Sequence, residues 1–397
     1  MKKITAALCT FALLFSLSSC GIERPDLEIK ASEEAAGSAA GKELKKFDIK
    51  DSAVRTDLSD KFHIDARISG TDISKLASCE PAPIDLKEDR IAELLMTDKN
   101  YTREEKTTGA IEYKNNKERL SVQISDMTSM ALVSSPTVDY YLDKGKEYAA
   151  AARYSWTDSY DKDEDMQKAA DLVEGMLNKI NIKCDELMVS RIPFDVLNDR
   201  YKDAIDYQKE WLDKADSSSD SDEPQYQDEI LYNEGLYEVL DENFKFMEGD
   251  DCFIVIGNTS FNNCPVYENE FNSKSVLAAV SSRGIEYLHA DNLYSYNNTF
   301  GEVSIVPVEQ AVDAVYKAYE ESPFKDDLDI TISSIKLGYL KQYSEGGRFQ
   351  SKDILTPVWV ISFFGTKGEK SIEPLSCMVY ASDGNLATRK DMFLSYE

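Results

Sequence analysis

Only two histidines, His63 and His289, are available for catalysis in this chain of 397 residues. A Ser-His-Asp or Cys-His mechanism, or a typical zinc site, would have to use one of them. Each lies in a run of alternating apolar and polar residues, Lys61–Ile68 and Ile285–Ala290, a pattern typical of β-strands. We therefore expect both to be ordinary strand residues, exposed or satisfied by a hydrogen bond.

The cysteines could form disulfides, bind metal or carry a modification. No two of them have Cys-x-x-Cys spacing, so neither a thioredoxin-like nor a zinc-ribbon site is indicated. Cys252 and Cys264 flank a predicted hairpin and could form a disulfide. In a reducing habitat, all the cysteines after Cys20 would instead be small buried hydrophobic residues. Those cysteines are Cys79, Cys184, Cys252, Cys264 and Cys377.

Cys20 closes an N-terminal segment that has its own chemistry. Lys2 and Lys3 precede a mostly apolar run, Ile4–Leu17, which is too short to span a bilayer. The following Leu-Ser-Ser-Cys resembles the lipobox of bacterial lipoproteins, in which the cysteine thiol takes the lipid. The alternatives are a secretory signal cleaved elsewhere and a buried N-terminal helix. The apolar run lacks the amphipathic period that such a helix would show.

The lipobox resemblance implies a cellular location for the whole protein. Residues 1–19 would be a lipoprotein signal peptide, with lipid attached at Cys20. Residues 20–46 are small, polar and charged, and they predict a disordered tether. The membrane is therefore an expected partner through the N-terminal lipid, and the expected location is the extracytoplasmic face of the cell membrane.

Charge and acid spacing limit the other partners. The chain has 73 acidic and 45 basic residues and a formal net charge of -28, which argues against a nucleic-acid partner. Asp158, Asp161, Asp163 and Asp165 suggest a calcium loop, but Met166 and Leu172 occupy the sixth and twelfth places counted from Asp161. Acids near the start of a helix explain them better. We predict no metal and no cofactor.

Periodicity predicts an α+β fold of antiparallel sheets with helices packed on one face, divided into two domains. The N-terminal α+β domain is placed at 47–215, with helices at 86–96, 163–180 and 194–212. An acidic, serine-rich linker follows at 216–226. The C-terminal domain, 227–397, contains strands at 244–247 and 252–257, a hairpin turning at Arg283-Gly284, and a helix at 308–319.

The order of phrases in the C-terminal domain resembles the PepSY-like domains of exported Gram-positive proteins, including Yyc-type regulators of a cell-wall sensor kinase. A Glu-x-Ala phrase begins a helix and is followed by a Leu-x-Tyr strand, a Pro-x-Trp strand and an Ala-x-x-Gly turn. The chain is also similar to uncharacterised gut-bacterial lipoproteins. The matching positions are Glu309, Ala311, Leu337, Tyr339, Pro357, Trp359, Ala381 and Gly384.

Core packing is the first interpretation of Tyr339 and Trp359, because both are large side chains on predicted strands. Gly384 is expected to supply a positive φ in a turn. The resemblance implies a regulatory module that binds a protein or peptide at the cell envelope without catalysis. The alternatives are a cell-wall hydrolase that uses paired carboxylates and a solute-binding lipoprotein of a transporter.

Overall fold

A computed structural model describes nine stretches of the chain. The predicted signal peptide, Cys20, the tether and most of the predicted linker lie outside them, as do Asp158, Asp161 and Asp163. The stretches are 53–107, 109–124, 128–134, 164–185, 187–217, 242–268, 275–346, 350–368 and 370–387.

Seventeen strands form two sheets in these stretches. The nine-stranded sheet contains β1 (Ala53–Ser59), β2 (Phe62–Ser69), β3 (Lys75–Pro83), β10 (Ser260–Phe261), β11 (Cys264–Tyr267), β14 (Tyr294–Ser304), β15 (Leu328–Gly346), β16 (Gln350–Lys367) and β17 (Lys370–Tyr380). The eight-stranded sheet contains β4 (Thr102–Glu105), β5 (Ile111–Lys114), β6 (Arg119–Gln123), β7 (Ser129–Val133), β8 (Met188–Ile192), β9 (Cys252–Gly257), β12 (Val276–Ser281) and β13 (Gly284–Ala290).

Four helices accompany the sheets in the described stretches, which confirms the α+β class. They are α1 (Glu88–Leu95), α2 (Glu164–Asn178), α3 (Phe194–Ser217) and α4 (Val308–Glu321). In α1, α2 and α4, apolar residues at helical spacing form the buried face. In α4, for example, Val308, Ala311, Val312 and Val315 are buried, which is the spacing of one helix face.

The nine-stranded sheet is mixed. Its order is β1-β2-β15-β16-β3-β14, with β11 and β17 attached to β15 and β16. Strand β2 runs parallel to β15, whereas β15 and β16 form a long antiparallel hairpin. The eight-stranded sheet, in the order β4-β5-β6-β7-β13-β12-β9-β8, is antiparallel throughout.

The predicted division at 216–226 does not separate two sequential domains. Strands β1–β3 from the first half join the nine-stranded sheet through β2–β15 and β3–β14. Strands β4–β8 join the eight-stranded sheet through β7–β13 and β8–β9. Each sheet thus takes strands from both sides of the predicted linker. The prediction failed because strand pairing depends on distant partners that local composition does not identify.

Each sheet has its own apolar core. On the nine-stranded sheet, Phe62, Ile64, Ala66 and Ile68 alternate along β2 and pack in one cluster with helix α4. On the eight-stranded sheet, neighbouring residues of β9 enter opposite clusters. Val255 packs with α1 and α2, whereas Ile254 packs with α3. Helices therefore cover both faces of this sheet.

The predicted strand at 244–247 is wrong. Residues 244–247 have no regular secondary structure. The side chain of Asn198 on α3 bonds both backbone groups of Phe246: its Nδ2 donates to the carbonyl oxygen at 2.9 Å, and its Oδ1 accepts the N–H at 2.8 Å. A carboxamide thus takes the place of a neighbouring strand.

Candidate functional site

The eight positions of the PepSY-like resemblance belong to the α4 side of the nine-stranded sheet. Five of them, Ala311, Leu337, Tyr339, Trp359 and Ala381, lie in one apolar cluster. Pro357 is buried, and Glu309 and Gly384 are half-buried. The core-packing interpretation of Tyr339 and Trp359 is confirmed, since both side chains are almost completely buried.

Polar atoms of Trp359 and Tyr339 form hydrogen bonds to backbone carbonyls of distant segments. The Nε1 of Trp359 donates to the carbonyl of Val306, at the entrance to α4, at 3.0 Å. The hydroxyl of Tyr339 donates to the carbonyl of Ala77 at 3.1 Å. Gly384 has φ of 76°, as expected, and a Cβ there would lie 2.5 Å from Nε2 of Gln310 on α4. This part of the resemblance marks structural residues rather than an exposed binding surface.

His63 lies on β2 between two carboxylates. Its Nδ1 is 2.6 Å from Oδ1 of Asp57 on β1, and its Nε2 is 3.6 Å from Oδ1 of Asp329 on β15. The hydrogen bond to Asp57 raises the pKa of His63 and, together with the charges of Asp329 and Asp57, outweighs the opposing effect of burial. Both nitrogens face acceptors, so the charged imidazolium is favoured, which does not suit a general base.

His289 belongs to a second ionisable cluster, near the point where the chain passes from β13 to β14. Its Nε2 lies 3.0 Å from Oδ2 of Asp291. Burial lowers the pKa of His289, but the hydrogen bond and charge of Asp291, together with the charge of Glu268, outweigh burial and leave it raised. The sequence-based expectation of a histidine satisfied by a hydrogen bond is met at both positions.

Sequence reasoning did not identify Lys341, which contacts Glu268, the carboxylate whose charge also acts on His289. Its side chain is 8% exposed, and its Nζ donates to Oε1 of Glu268 at 2.9 Å and to the hydroxyl of Tyr294 at 3.2 Å. Burial disfavours the charge, but attraction to Glu268 raises the pKa of Lys341 above its usual value. A protonated amine is not a nucleophile. A lysine within the apolar run of β15 was the only signal available in the sequence.

None of the cysteines of the described stretches is in a disulfide. Cys252 packs in the cluster shared with α3, whereas Cys264 packs in the core of the other sheet. The proposed disulfide between them is therefore not formed. Cys79, Cys252, Cys264 and Cys377 are buried, as the alternative predicts, whereas Cys184 is only partly buried. Burial raises the pKa of Cys184 and Cys252 to about 12 and that of Cys264 to about 11, so these thiols are poor nucleophiles.

Buried carboxylates in the described stretches are engaged by donors. Asp251 accepts from Nε of Arg191 at 2.6 Å and from the N–H of Phe194, where α3 begins, at 2.8 Å. Glu286 accepts from the guanidinium of Arg283. The others, Glu112 and Glu118, contact Lys106 and the Thr97 backbone N–H. These carboxylates thus satisfy local donors and helix ends.

Two edge strands differ in what they present to solvent. Strand β4 contains only Thr102, Arg103, Glu104 and Glu105, all exposed, which is typical of an edge protected by charge. Strand β14 has 11 residues, pairs with β3 alone among the described strands, and carries Phe300 with 48% of its surface exposed. An unpaired edge with an apolar side chain is suited to adding a strand from a partner.

No family model matches the sequence, and no curated protein is significantly similar to it. The structure is similar to the crystal structure of an uncharacterized protein from Eubacterium rectale ATCC 33656, with a TM-score of 0.53. The match covers 85% of this chain and 94% of that chain, at 12% sequence identity. It shows a shared fold and nothing about activity.

The described stretches offer neither a membrane-spanning helix nor a metal-binding group of side chains. None of their helices is long and apolar enough to cross a membrane. Their His, Cys, Asp and Glu side chains form no group of three or more arranged to hold a metal ion.

Proposed function

We propose that the mature chain is a lipid-anchored, extracytoplasmic module that binds a protein or peptide partner at the cell envelope without catalysis. The anchor rests on the lipobox-like Leu17-Ser18-Ser19-Cys20. The binding role is supported by β14, which pairs with β3 alone among the described strands, and by its exposed Phe300. The resemblance to PepSY-like regulators agrees with a module that acts through contact.

The state of the reactive groups supports binding over catalysis. Both nitrogens of His63 face carboxylates, His289 is bonded to Asp291, and Lys341 is held by Glu268. A general base needs a free lone pair directed at the substrate, and a nucleophile needs a lowered pKa. These groups have neither property.

The anchor is tested with Cys20→Ser. We expect the wild-type protein to fractionate with membranes and to incorporate a clickable fatty-acid analogue, and C20S to lose both properties because it lacks the thiol that takes the lipid. Cys9→Ser is the matched control, since Cys9 lies inside the predicted signal peptide. Equal labelling of C20S and the wild type would refute the anchor.

The binding edge is tested with Phe300→Ser in the soluble 21–397 chain, used as bait for envelope extracts after chemical crosslinking. A partner recovered by the wild type should be lost with F300S. Phe364→Ser is the control, because Phe364 is similarly exposed at 45% but lies on the internal strand β16. Recovery of no specific partner, or equal loss with both variants, would count against binding at β14.

A further inference from the structure

His63 joins three neighbouring strands of the nine-stranded sheet. In the strand register, Asp57 of β1 lies opposite His63 of β2, and His63 lies beside Thr331 of β15. Asp329, two residues before Thr331, reaches the second ring nitrogen. One imidazole therefore lies between the carboxylates of β1 and β15.

Strand β1 depends on β2 for its place in the sheet. It is the terminal strand, and β2 is its only partner among the described strands. Of its seven residues only Val54 is buried. The register with β2 is irregular between Asp57 and Ser59, next to the His63 contact. Because so little of β1 is buried, polar contacts contribute a large share of the free energy that keeps it in the sheet.

We propose that His63 is a proton-operated clasp, which holds edge strand β1 against β2 and β15 while the imidazole is charged and loosens it when the proton is lost. This inference goes beyond the proposed function and requires neither the lipid anchor nor a partner. Loosening β1 would uncover the edge of β2, an alternating strand well suited to pairing with an incoming strand.

The charged groups around His63 determine whether the β1 contact becomes weaker or stronger as pH rises. Asp57 and Asp329 face the ring; Asp65 on the same strand is paired with Arg55 of β1 at 2.7 Å, and Lys61 donates to the Asp326 carbonyl. Of the side-chain types in this contact, imidazole is the one that ordinarily changes charge near neutral pH. Because its pKa is raised in the folded state, the stabilisation is complete below the unfolded pKa and is lost as pH rises through the folded pKa.

The clasp is tested by hydrogen exchange of the β1 amides between pH 5.5 and 8.5, corrected for intrinsic exchange. We expect β1 protection in the wild-type chain to fall about two- to fivefold as pH rises, the size typical of an exposed ion pair. His63→Gln should show no such pH dependence. His289→Gln, which alters the other histidine, should retain it. A wild-type profile in H63Q, or a flat profile in the wild type, would overturn the proposal.

A second measurement does not depend on the folding of H63Q. The Cε1–H resonance of His63, assigned by its presence in H289Q, is titrated by NMR in the wild type, D57N and D329N. The pKa of His63 should exceed that of a free histidine and should decrease in both variants. If D329N leaves it unchanged, β15 takes no part in the clasp and the three-strand proposal fails.

Discussion

The indole of Trp359 is fixed both by apolar packing of its ring and by a hydrogen bond from its nitrogen. The side chain is 2% exposed in the core beneath α4, and Nε1 donates to the carbonyl of Val306 just before that helix begins. A buried tryptophan normally needs such a partner. The same residue therefore packs the sheet and fixes the entry of the helix, which explains its position in the PepSY-like phrase without a ligand.

Trp359→Phe tests this double role. Phenylalanine keeps an aromatic ring but removes the donor and leaves the Val306 carbonyl without it, so we expect a loss of about 1–3 kcal/mol in the free energy of unfolding. Urea denaturation measures it. Phe364→Leu, at an exposed position, should change stability by no more than about 0.5 kcal/mol. A W359F loss as small as that of F364L would contradict this account.

At the scale of elements, two glycines show opposite constraints. Gly175 lies on the exposed side of helix α2, and a Cβ there would meet nothing within 4 Å. Gly384 lies in the turn that follows β17 and has φ of 76°. A Cβ at this position would clash with the side chain of Gln310. Helix interiors disfavour glycine, whereas left-handed turns require it.

Gly175→Ala should therefore stabilise the protein by about 0.5–1 kcal/mol, because alanine restricts the unfolded chain and favours the helix. Gly384→Ala should destabilise it by about 1 kcal/mol or more, through backbone strain and the clash with Gln310. Thermal unfolding of both variants beside the wild type provides the measurement. Shifts of the same sign would show that the local environments differ from those described.

Elements with a strong period were predictable from the sequence. The apolar stripe of α4 and the alternating apolar residues of β2 each predict which face of the element is buried. The segment 244–247 was not predictable, because its backbone bonds go to the Asn198 side chain, 48 positions away from Phe246. Lys341 was missed for a similar reason. Its partner Glu268 is 73 positions distant, and no local pattern marks such a pair.

For the whole molecule, the main feature is that both halves of the chain contribute to both sheets. Composition marked a polar segment at 216–226 but could not reveal that β2 pairs with β15 or β7 with β13. A linker-like composition describes only the local segment. Which strands meet depends on long-range burial, and several arrangements of the same strands would satisfy the local patterns equally well.

A fragment comprising 227–397 should therefore not fold alone. It would expose the β15 surface that pairs with Phe62 and Ile64, and the β13 surface that pairs with Leu132. We expect a poorly dispersed NMR spectrum and aggregation. Co-expression with 47–215 supplies the missing strands and should restore a soluble complex. A monomeric, well-dispersed 227–397 fragment would show that the sheets are separable after all.

The pairing of β2 with β15 also constrains the order in which the nine-stranded sheet assembles. The Tyr339 hydroxyl reaches the Ala77 carbonyl across 262 positions, so β3 cannot complete its contacts until most of the chain has been synthesised. Contacts this distant in sequence form slowly. Until β14 and β15 are available, β3 lacks its partner β14 and the second edge of β2 is unpaired, so both are prone to aggregation. Protection of these edges during that interval would then affect the yield of folded protein more than its final stability does.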